Sequence, residues 1–345
     1  MKYLRKCLKK FDAYTPGEQP QEKGWVKLNT NENPYPPSPK VGIALKKAAV
    51  DSLNLYPDPV FMELRKAFAK LNRVKVKQIF CGNGSDEVLR VLFEAFVDPR
   101  EKVVYPYPSY PLYKTLAELH DARCVEIPLT EDFDLPEWNN KWQGKLLFLA
   151  SPNSPTGGLY GLDRIELACR KFNGIVVVDE AYADFAGFTT IPLIKKYPNL
   201  IVCRTFSKSY SLAGMRIGIA VASEEIINVL YSIKDSYNMS RLDQVAAVAA
   251  LEDQAYFKLV VSKVIKTRHR LCDELVNLGF KTYPSDANFV FTSPPDRKGK
   301  DLYQYLKSKK ILVRFWDKDR LRESVRISVG TDKEIDILLD ALRKY

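Results

Sequence analysis

The stretch Leu200-Ile-Val-Cys-Arg-Thr-Phe-Ser-Lys208-Ser-Tyr-Ser-Leu-Ala-Gly-Met-Arg216-Ile-Gly-Ile-Ala-Val221 sets two short apolar runs on either side of a polar loop. Leu200–Cys203 and Ile217–Val221 are nearly continuous in apolar character, which predicts strands covered on both faces. The segment between them is too rich in hydroxyls and too broken by glycine to be a simple helix. Lys208 is flanked there by Thr205, Ser207 and Ser209, whereas most other lysines stand in exposed, mixed-charge surroundings. This points to a lysine held in a site, with Arg216 as a permanent charge for an anion. On composition alone, a solvent-facing loop is the alternative.

Outward from this unit, the strand pattern recurs at Gln78–Cys81, Val103–Tyr105, Cys124–Ile127, Leu146–Ala150 and Ile175–Val178. Helical periodicity marks Ser85–Phe96, Glu224–Asp235, Gln244–Leu251, Arg268–Leu278 and Lys333–Leu342. Strands alternating with helices predict an α/β chain with a mostly parallel seven-stranded sheet. Toward the end, Ala287–Phe291, a run near Ile311–Arg314 and Ser324–Val329 predict a smaller α+β domain. The front differs, because Asn33-Pro-Tyr-Pro-Pro-Ser-Pro39 excludes regular helix or central strand and reads as an extended arm. The expected division is an arm over 1–40 that joins the small domain, a large domain over 41–255 and the small domain over 256–345.

In an open sheet of this kind ligands lie beyond the carboxyl ends of the strands. After Gln78–Cys81 comes Gly82-Asn-Gly-Ser-Asp-Glu87, leading into a helix whose first N–H groups suit a phosphate. An ordinary turn with a Ser/Asp cap has the same composition. After Ile175–Val178 comes Asp179-Glu-Ala-Tyr182. A carboxylate at the buried end of an apolar strand is costly unless a cation meets it. Asp179 therefore reads either as a helix cap or as the partner of a protonated ring nitrogen, with Tyr182 within reach of the same ligand.

Composition narrows the chemistry. The chain has 345 residues, 46% of them apolar, six dispersed cysteines, two histidines and a net charge of +11. No Cys-x-x-Cys pair or His-Glu-x-x-His spacing is present, so a disulfide framework, a histidine-ligated metal and a Ser-His-Asp triad lack material. Catalysis must lean on Lys, Tyr, Asp, Arg or a borrowed cofactor. No apolar run approaches the length of a membrane span, and the charged start has no apolar segment behind it. The expectation is a cytoplasmic chain, neither secreted nor membrane-bound. Residues 297–326 hold eleven Lys and Arg against four Asp and Glu. A solvated face or attraction of a small anionic substrate accounts for this better than nucleic acid, for which no recognisable binding pattern exists.

Three stretches together carry a resemblance. Thr205-Phe-Ser-Lys208 with Gly214-Met-Arg216 resembles the lysine signature of pyridoxal-phosphate enzymes. With Leu28-Asn-Thr-Asn-Glu-Asn-Pro-Tyr-Pro-Pro-Ser-Pro39 before it and Val325-Arg-Ile-Ser-Val-Gly-Thr331 after it, the order of the family, the chain is similar to the histidinol-phosphate aminotransferase family from Tyr14 to its last helix. The resemblance implies an aspartate-aminotransferase-like fold (pyridoxal-phosphate fold type I), pyridoxal 5'-phosphate as cofactor, and a homodimer acting in histidine biosynthesis on histidinol phosphate and glutamate/2-oxoglutarate. No metal is implied.

Residue by residue, it implies that Lys208 binds the cofactor aldehyde and moves the substrate proton, that Asp179 holds the ring nitrogen protonated, and that Tyr182 donates to the phenolic oxygen. Tyr110 would stack on the ring. The phosphate would meet Gly84, Ser85, Asp86, Thr205, Ser207 and Arg216, with Tyr56 reaching it from the partner protomer. Arg326 and Arg314 would clamp the acidic groups of the substrates, Tyr14 would stand at the substrate mouth, and Asn288 falls in a matching small-domain stretch. The chain departs from the family at Ser151-Pro-Asn-Ser-Pro-Thr-Gly157, where Ser154 occupies the place of the asparagine expected at the phenolic oxygen. Ser154 takes over that contact, Asn153 reaches in, or Tyr182 acts alone. An aromatic amino-acid aminotransferase and a threonine-phosphate decarboxylase share these cofactor stretches. A basic binding protein that kept the fold is the rival of another class, opposed by the joint presence of Lys208, Asp179, Tyr182 and Arg216.

Overall fold

The computed structural model describes residues 3–5, 7, 8, 11, 16–50, 53–296 and 298–345. Their strands are β1 (Val26–Leu28), β2 (Ile79–Asn83), β3 (Lys102–Tyr107), β4 (Arg123–Pro128), β5 (Leu146–Ala150), β6 (Ile175–Asp179), β7 (Leu200–Thr205), β8 (Ile217–Val221), β9 (Lys281–Thr282), β10 (Phe289–Ser293), β11 (Ile311–Phe315) and β12 (Val325–Ser328). Every predicted strand is present.

Seven strands form one sheet in the order β2-β8-β7-β6-β5-β3-β4. Alternation across the sheet explains the unbroken apolar runs: Val176 and Val178 enter one core cluster while Val177 enters another on the opposite face. The edge strand β4 is only partly covered, and its sequence is correspondingly mixed. Six strands share one direction, and β8 alone runs antiparallel to both neighbours. The reason is the connection, because residues 206–216 contain no crossover helix to carry the chain back for a parallel return. As a result Arg216, just before β8, lies at the same sheet edge as Thr205, the last residue of β7.

The second sheet has the order β1-β11-β12-β10-β9. Its first strand comes from the Pro- and Asn-rich front of the chain, pairing in parallel with β11 so that Val26 faces Ile311 and Leu28 faces Val313. Three residues are too few to show a period, which is why β1 escaped the sequence reading. Helices at Pro39–Val50, Met62–Asn72, Leu112–Leu119, Leu162–Lys171 and Gly299–Ser308 also went unread. The predicted Arg268–Leu278 helix is the second half of Gln254–Asn277. Its first half packs Val261 and Val264 against Phe185 and Val329, and its second half sends Leu271 and Leu275 into the core of the small sheet. A helix that changes neighbours midway shows a weak overall period.

Candidate active site

The carboxyl ends of β5, β6 and β7 open on a cavity of about 450 Å³. Its wall includes Lys208, Asp179, Tyr182, Tyr110, Ser85, Asp86, Thr205, Ser207, Arg216, Ser154, Arg314 and Arg326. Residues far apart in sequence meet here because strand register aligns the ends: Asp179 stands opposite Ala150 on one side and Cys203 on the other.

One end of the cavity is built for an anion. Gly84 opens the helix Gly84–Phe96 with φ +80, and a Cβ there would lie 2.6 Å from the Arg216 guanidinium. Gly218 in β8 serves the same approach, since a Cβ would meet the Gly84 carbonyl carbon at 2.4 Å. The missing side chains let β8 press on the turn, so that the helix N-terminus and Arg216 face one space. Arg216 donates to Ser207 Oγ (3.3 Å) and to Asp86 Oδ2 (2.9 Å), and Tyr110 donates to the other Asp86 oxygen (3.2 Å). Thr205 Oγ1 donates to Ser207 Oγ at 3.0 Å.

Asp179 lies away from solvent, 5% exposed at the end of β6. Its carboxylate accepts from the Tyr113 hydroxyl (2.7 Å) and from the Ala181 N–H (3.1 Å). Burial nonetheless dominates and pushes its pKa up to about 6 against the stabilising hydrogen bonds. A carboxylate in this position gains from any cation delivered to it. Tyr113 is itself fully buried, stacked on Phe148 with ring centroids 4.7 Å apart and edge-on to Tyr110 at 5.6 Å.

Lys208 Nζ donates to the Thr30 carbonyl (3.3 Å) and lies 5.8 Å from the centroid of the Tyr182 ring. An ionic brace holds its loop: Arg204 binds Glu180 (2.9 Å) and Asp184, and Ser209 donates to Asp184 as well. Each member of this brace is a close chain neighbour of Asp179, Tyr182, Thr205 or Lys208, so the ends of β6 and β7 are tied to each other. The Tyr182 hydroxyl accepts from Asn31 Nδ2 at 3.0 Å.

The two arginines of the small sheet reach the same cavity. Arg314 and Arg326 are paired across β11 and β12. Arg326, 8% exposed, donates to Ser154 Oγ (3.0 Å) and the Asn29 carbonyl (2.9 Å), with its guanidinium 5.1 Å from the Phe289 and Trp316 ring centres. Arg314 donates to the Pro16 carbonyl (3.1 Å).

Other predicted residues lie elsewhere. Asn153 is fully buried and does not line the cavity: it donates to the Pro108 carbonyl and Thr156 Oγ1 and accepts from Ser109. Ser154 is the residue that faces inward. Asn288 is likewise fully buried behind the wall, donating to the Asn31 carbonyl (3.0 Å). Tyr56 is 77% exposed, stacked on Tyr237 with ring centroids 4.3 Å apart, away from this cavity. Tyr14 lies outside the described residues. The sequence reading gave no role to Asn29, Thr30, Asn31, Tyr113 or Trp316. Three asparagines within Asn29–Asn33 were the available signal for the first group, whereas Tyr113 looks like any aromatic in a helix turn. Among the described residues, no group of three or more His, Cys, Asp or Glu could hold a metal, and no helix is long and apolar enough to cross a membrane.

The family model described as aminotransferase class I and II matches residues 23–342. A histidinol-phosphate aminotransferase of Geotalea uraniireducens is 46% identical over 342 residues, covering 99% of both chains. Another, of Geotalea daltonii, is 45% identical over 98% of both. Among solved structures, histidinol-phosphate aminotransferase of Sinorhizobium meliloti in complex with pyridoxal-5'-phosphate superposes with a TM-score of 0.83 at 28% identity, covering 92% of this chain and 90% of the other. That of Clostridium acetobutylicum gives 0.84 at 25% identity, covering 92% and 98%.

Proposed function

The chain belongs to the aminotransferase class I and II family, and from that premise we propose that it transfers the amino group of L-histidinol phosphate to 2-oxoglutarate, giving imidazole-acetol phosphate and L-glutamate with the help of pyridoxal 5'-phosphate. The observation that carries this is one cavity holding Lys208, the buried carboxylate of Asp179 and an anion cup around Arg216. The near-full-length likeness to histidinol-phosphate aminotransferases selects the substrate pair.

The donor set fits pyridoxal phosphate. The glycine-lined cup with Ser85, Thr205, Ser207 and Arg216 suits its phosphate, and Asp179, raised by burial, suits a protonated ring nitrogen. When bound, the cofactor supplies an electron sink that acidifies the Cα proton of the substrate. Lys208 would hold the aldehyde and would serve as the base that takes and returns the substrate Cα proton. Asp179 would keep the ring-nitrogen proton in place, and Tyr182 would donate to the phenolic oxygen. Tyr110, in the cavity wall, would cover the ring face. Ser154 accepts from Arg326 and keeps its own proton, so it and Tyr182 are the two hydroxyls that could donate to that oxygen.

Arg326 and Arg314 bind the substrate phosphate in one half-reaction and carboxylate in the other, since a guanidinium fork suits both. Tyr14 is assigned to substrate binding by the family resemblance alone. Tyr56, remote from its own cavity, completes the phosphate cup of a partner in a homodimer. We read 1–40, 41–255 and 256–345 as arm, large and small domains, and place the enzyme in the cytoplasm.

The test is spectroscopic and kinetic. Protein loaded with pyridoxal phosphate should be yellow, borohydride should fix the cofactor to Lys208, and Lys208→Ala should lose turnover while staying folded. Catalytic efficiency should be higher on histidinol phosphate than on phenylalanine or threonine phosphate under one condition. A preference for phenylalanine would overturn the substrate assignment.

A further inference from the structure

Asn31 is buried, 1% exposed, in a left-handed backbone conformation (φ 56), and every polar atom it has is engaged. Its N–H donates to Ser328 Oγ at 2.8 Å, and its carbonyl accepts from Asn288 Nδ2 at 3.0 Å. Because the Ser328 oxygen already receives that N–H, its own proton turns to Asn31 Oδ1, 2.9 Å away. The side-chain amide is oriented accordingly, with its oxygen toward Ser328. The amide NH2 is left facing the Tyr182 hydroxyl at 3.0 Å. Tyr182 Oη therefore accepts from Asn31, and its own proton must point elsewhere. Among the described residues no protein acceptor receives that proton, and Tyr182 lines the cavity.

From this chain of contacts we infer that Asn31 is a positioning residue that aims the Tyr182 proton into the cavity, with Ser328 and Asn288 locking Asn31 in the required orientation. The inference rests on the pyridoxal-phosphate reading, and gives that reading its missing part. In this chain Asn153 is spent on Pro108, Ser109 and Thr156, and the Ser154 oxygen accepts from Arg326. With Asn153 committed, the donation rests on hydroxyls, and a hydroxyl without a partner behind it divides its time among rotamers. The same three-residue segment also holds Lys208 through the Thr30 carbonyl and Arg326 through the Asn29 carbonyl. One turn of the arm thus touches the lysine, the tyrosine and the substrate arginine.

A donor aimed at the phenolic oxygen draws electron density from it and weakens its hold on a neighbouring proton. When the aim is lost, that proton is held more tightly, and the pH at which the bound cofactor changes colour moves up. The experiment is a double-mutant cycle on the full chain loaded with pyridoxal phosphate, reading the pH midpoint of the visible absorbance and the cofactor dissociation constant. Asn31→Ala should raise the midpoint by about half a unit to one unit, a roughly three- to ten-fold change in proton affinity. It should also weaken cofactor binding several-fold. Ser328→Ala, at a residue that does not itself line the cavity, should shift the midpoint the same way by less, and serves if Asn31→Ala misfolds. Both shifts should vanish in the Tyr182→Phe background. Shifts of equal size in both backgrounds would show a merely structural arm contact and overturn the inference, as would an unmoved midpoint in Asn31→Ala and Ser328→Ala. A wild-type chain that binds no pyridoxal phosphate would overturn the functional reading and this inference with it.

Discussion

The Tyr113 hydroxyl donates to Asp179 Oδ2 at 2.7 Å from a fully buried ring. Burial raises the Tyr113 pKa well above its usual value, so this hydroxyl keeps its proton and can serve Asp179 only as a donor. It favours the charged carboxylate, opposing the desolvation that pushes Asp179 up. Tyr113→Phe should raise the pyridoxal-phosphate dissociation constant about ten-fold, matching roughly 1.5 kcal/mol for a hydrogen bond to a charged group. Absorbance titration of the purified variant measures it, and wild-type affinity would show the bond to be idle.

Asp179 trades stability for cofactor binding. Its pKa is about 6 in the folded chain, above the ordinary carboxylate value, so the folded state binds the proton more tightly than the unfolded one. Its favourable contribution is present in acid and is lost as pH rises from roughly 4 to 6, at a cost approaching 2–3 kcal/mol. Asp179→Asn should therefore melt higher than wild type without cofactor at pH 7.5, while binding pyridoxal phosphate much less tightly. A cofactor-free variant that melts lower at that pH would contradict the desolvation argument.

Gly218→Ala probes the anion cup. The new Cβ would meet the Gly84 backbone and Ser85 N at 2.4–2.5 Å, where no flexible side chain can yield. Strain of this kind costs about 1–3 kcal/mol, and it is released by moving the helix N-terminus away from Arg216. The preference for pyridoxal phosphate over unphosphorylated pyridoxal should fall at least ten-fold, roughly 1.4 kcal/mol. If both ligands weaken equally, the cup does not read the phosphate.

Arg326→Lys separates substrate from cofactor. A lysine ammonium cannot hold Ser154 and Asn29 together while keeping the guanidinium's contacts with the Phe289 and Trp316 rings. KM for glutamate and for histidinol phosphate should both rise by about 10–100-fold, or 1–3 kcal/mol. The cofactor absorbance and its affinity should stay close to wild type. An unchanged KM would remove Arg326 from the substrate site.

The sequence by itself determined the large sheet and the chemistry at its edge. Strands buried on both faces leave continuous apolar runs, and polar or glycine residues directly after such runs have few purposes other than capping or binding. Lys208, Asp179, Tyr182 and Arg216 were legible for that reason, and all four line one cavity. Tertiary structure alone decided which way neighbouring side chains point. Asn153 and Ser154 are adjacent in one loop, yet only Ser154 faces the cavity, because side-chain direction in a loop follows backbone torsions that composition does not encode. It also decided the supporting contacts. Tyr113 meets Asp179 across 66 residues, Asn31 meets Tyr182 across 151, and Ser328 meets Asn31 across 297. Such bonds leave no local periodicity, since their partners come together only when strand register and sheet order have brought distant ends of the chain to one edge.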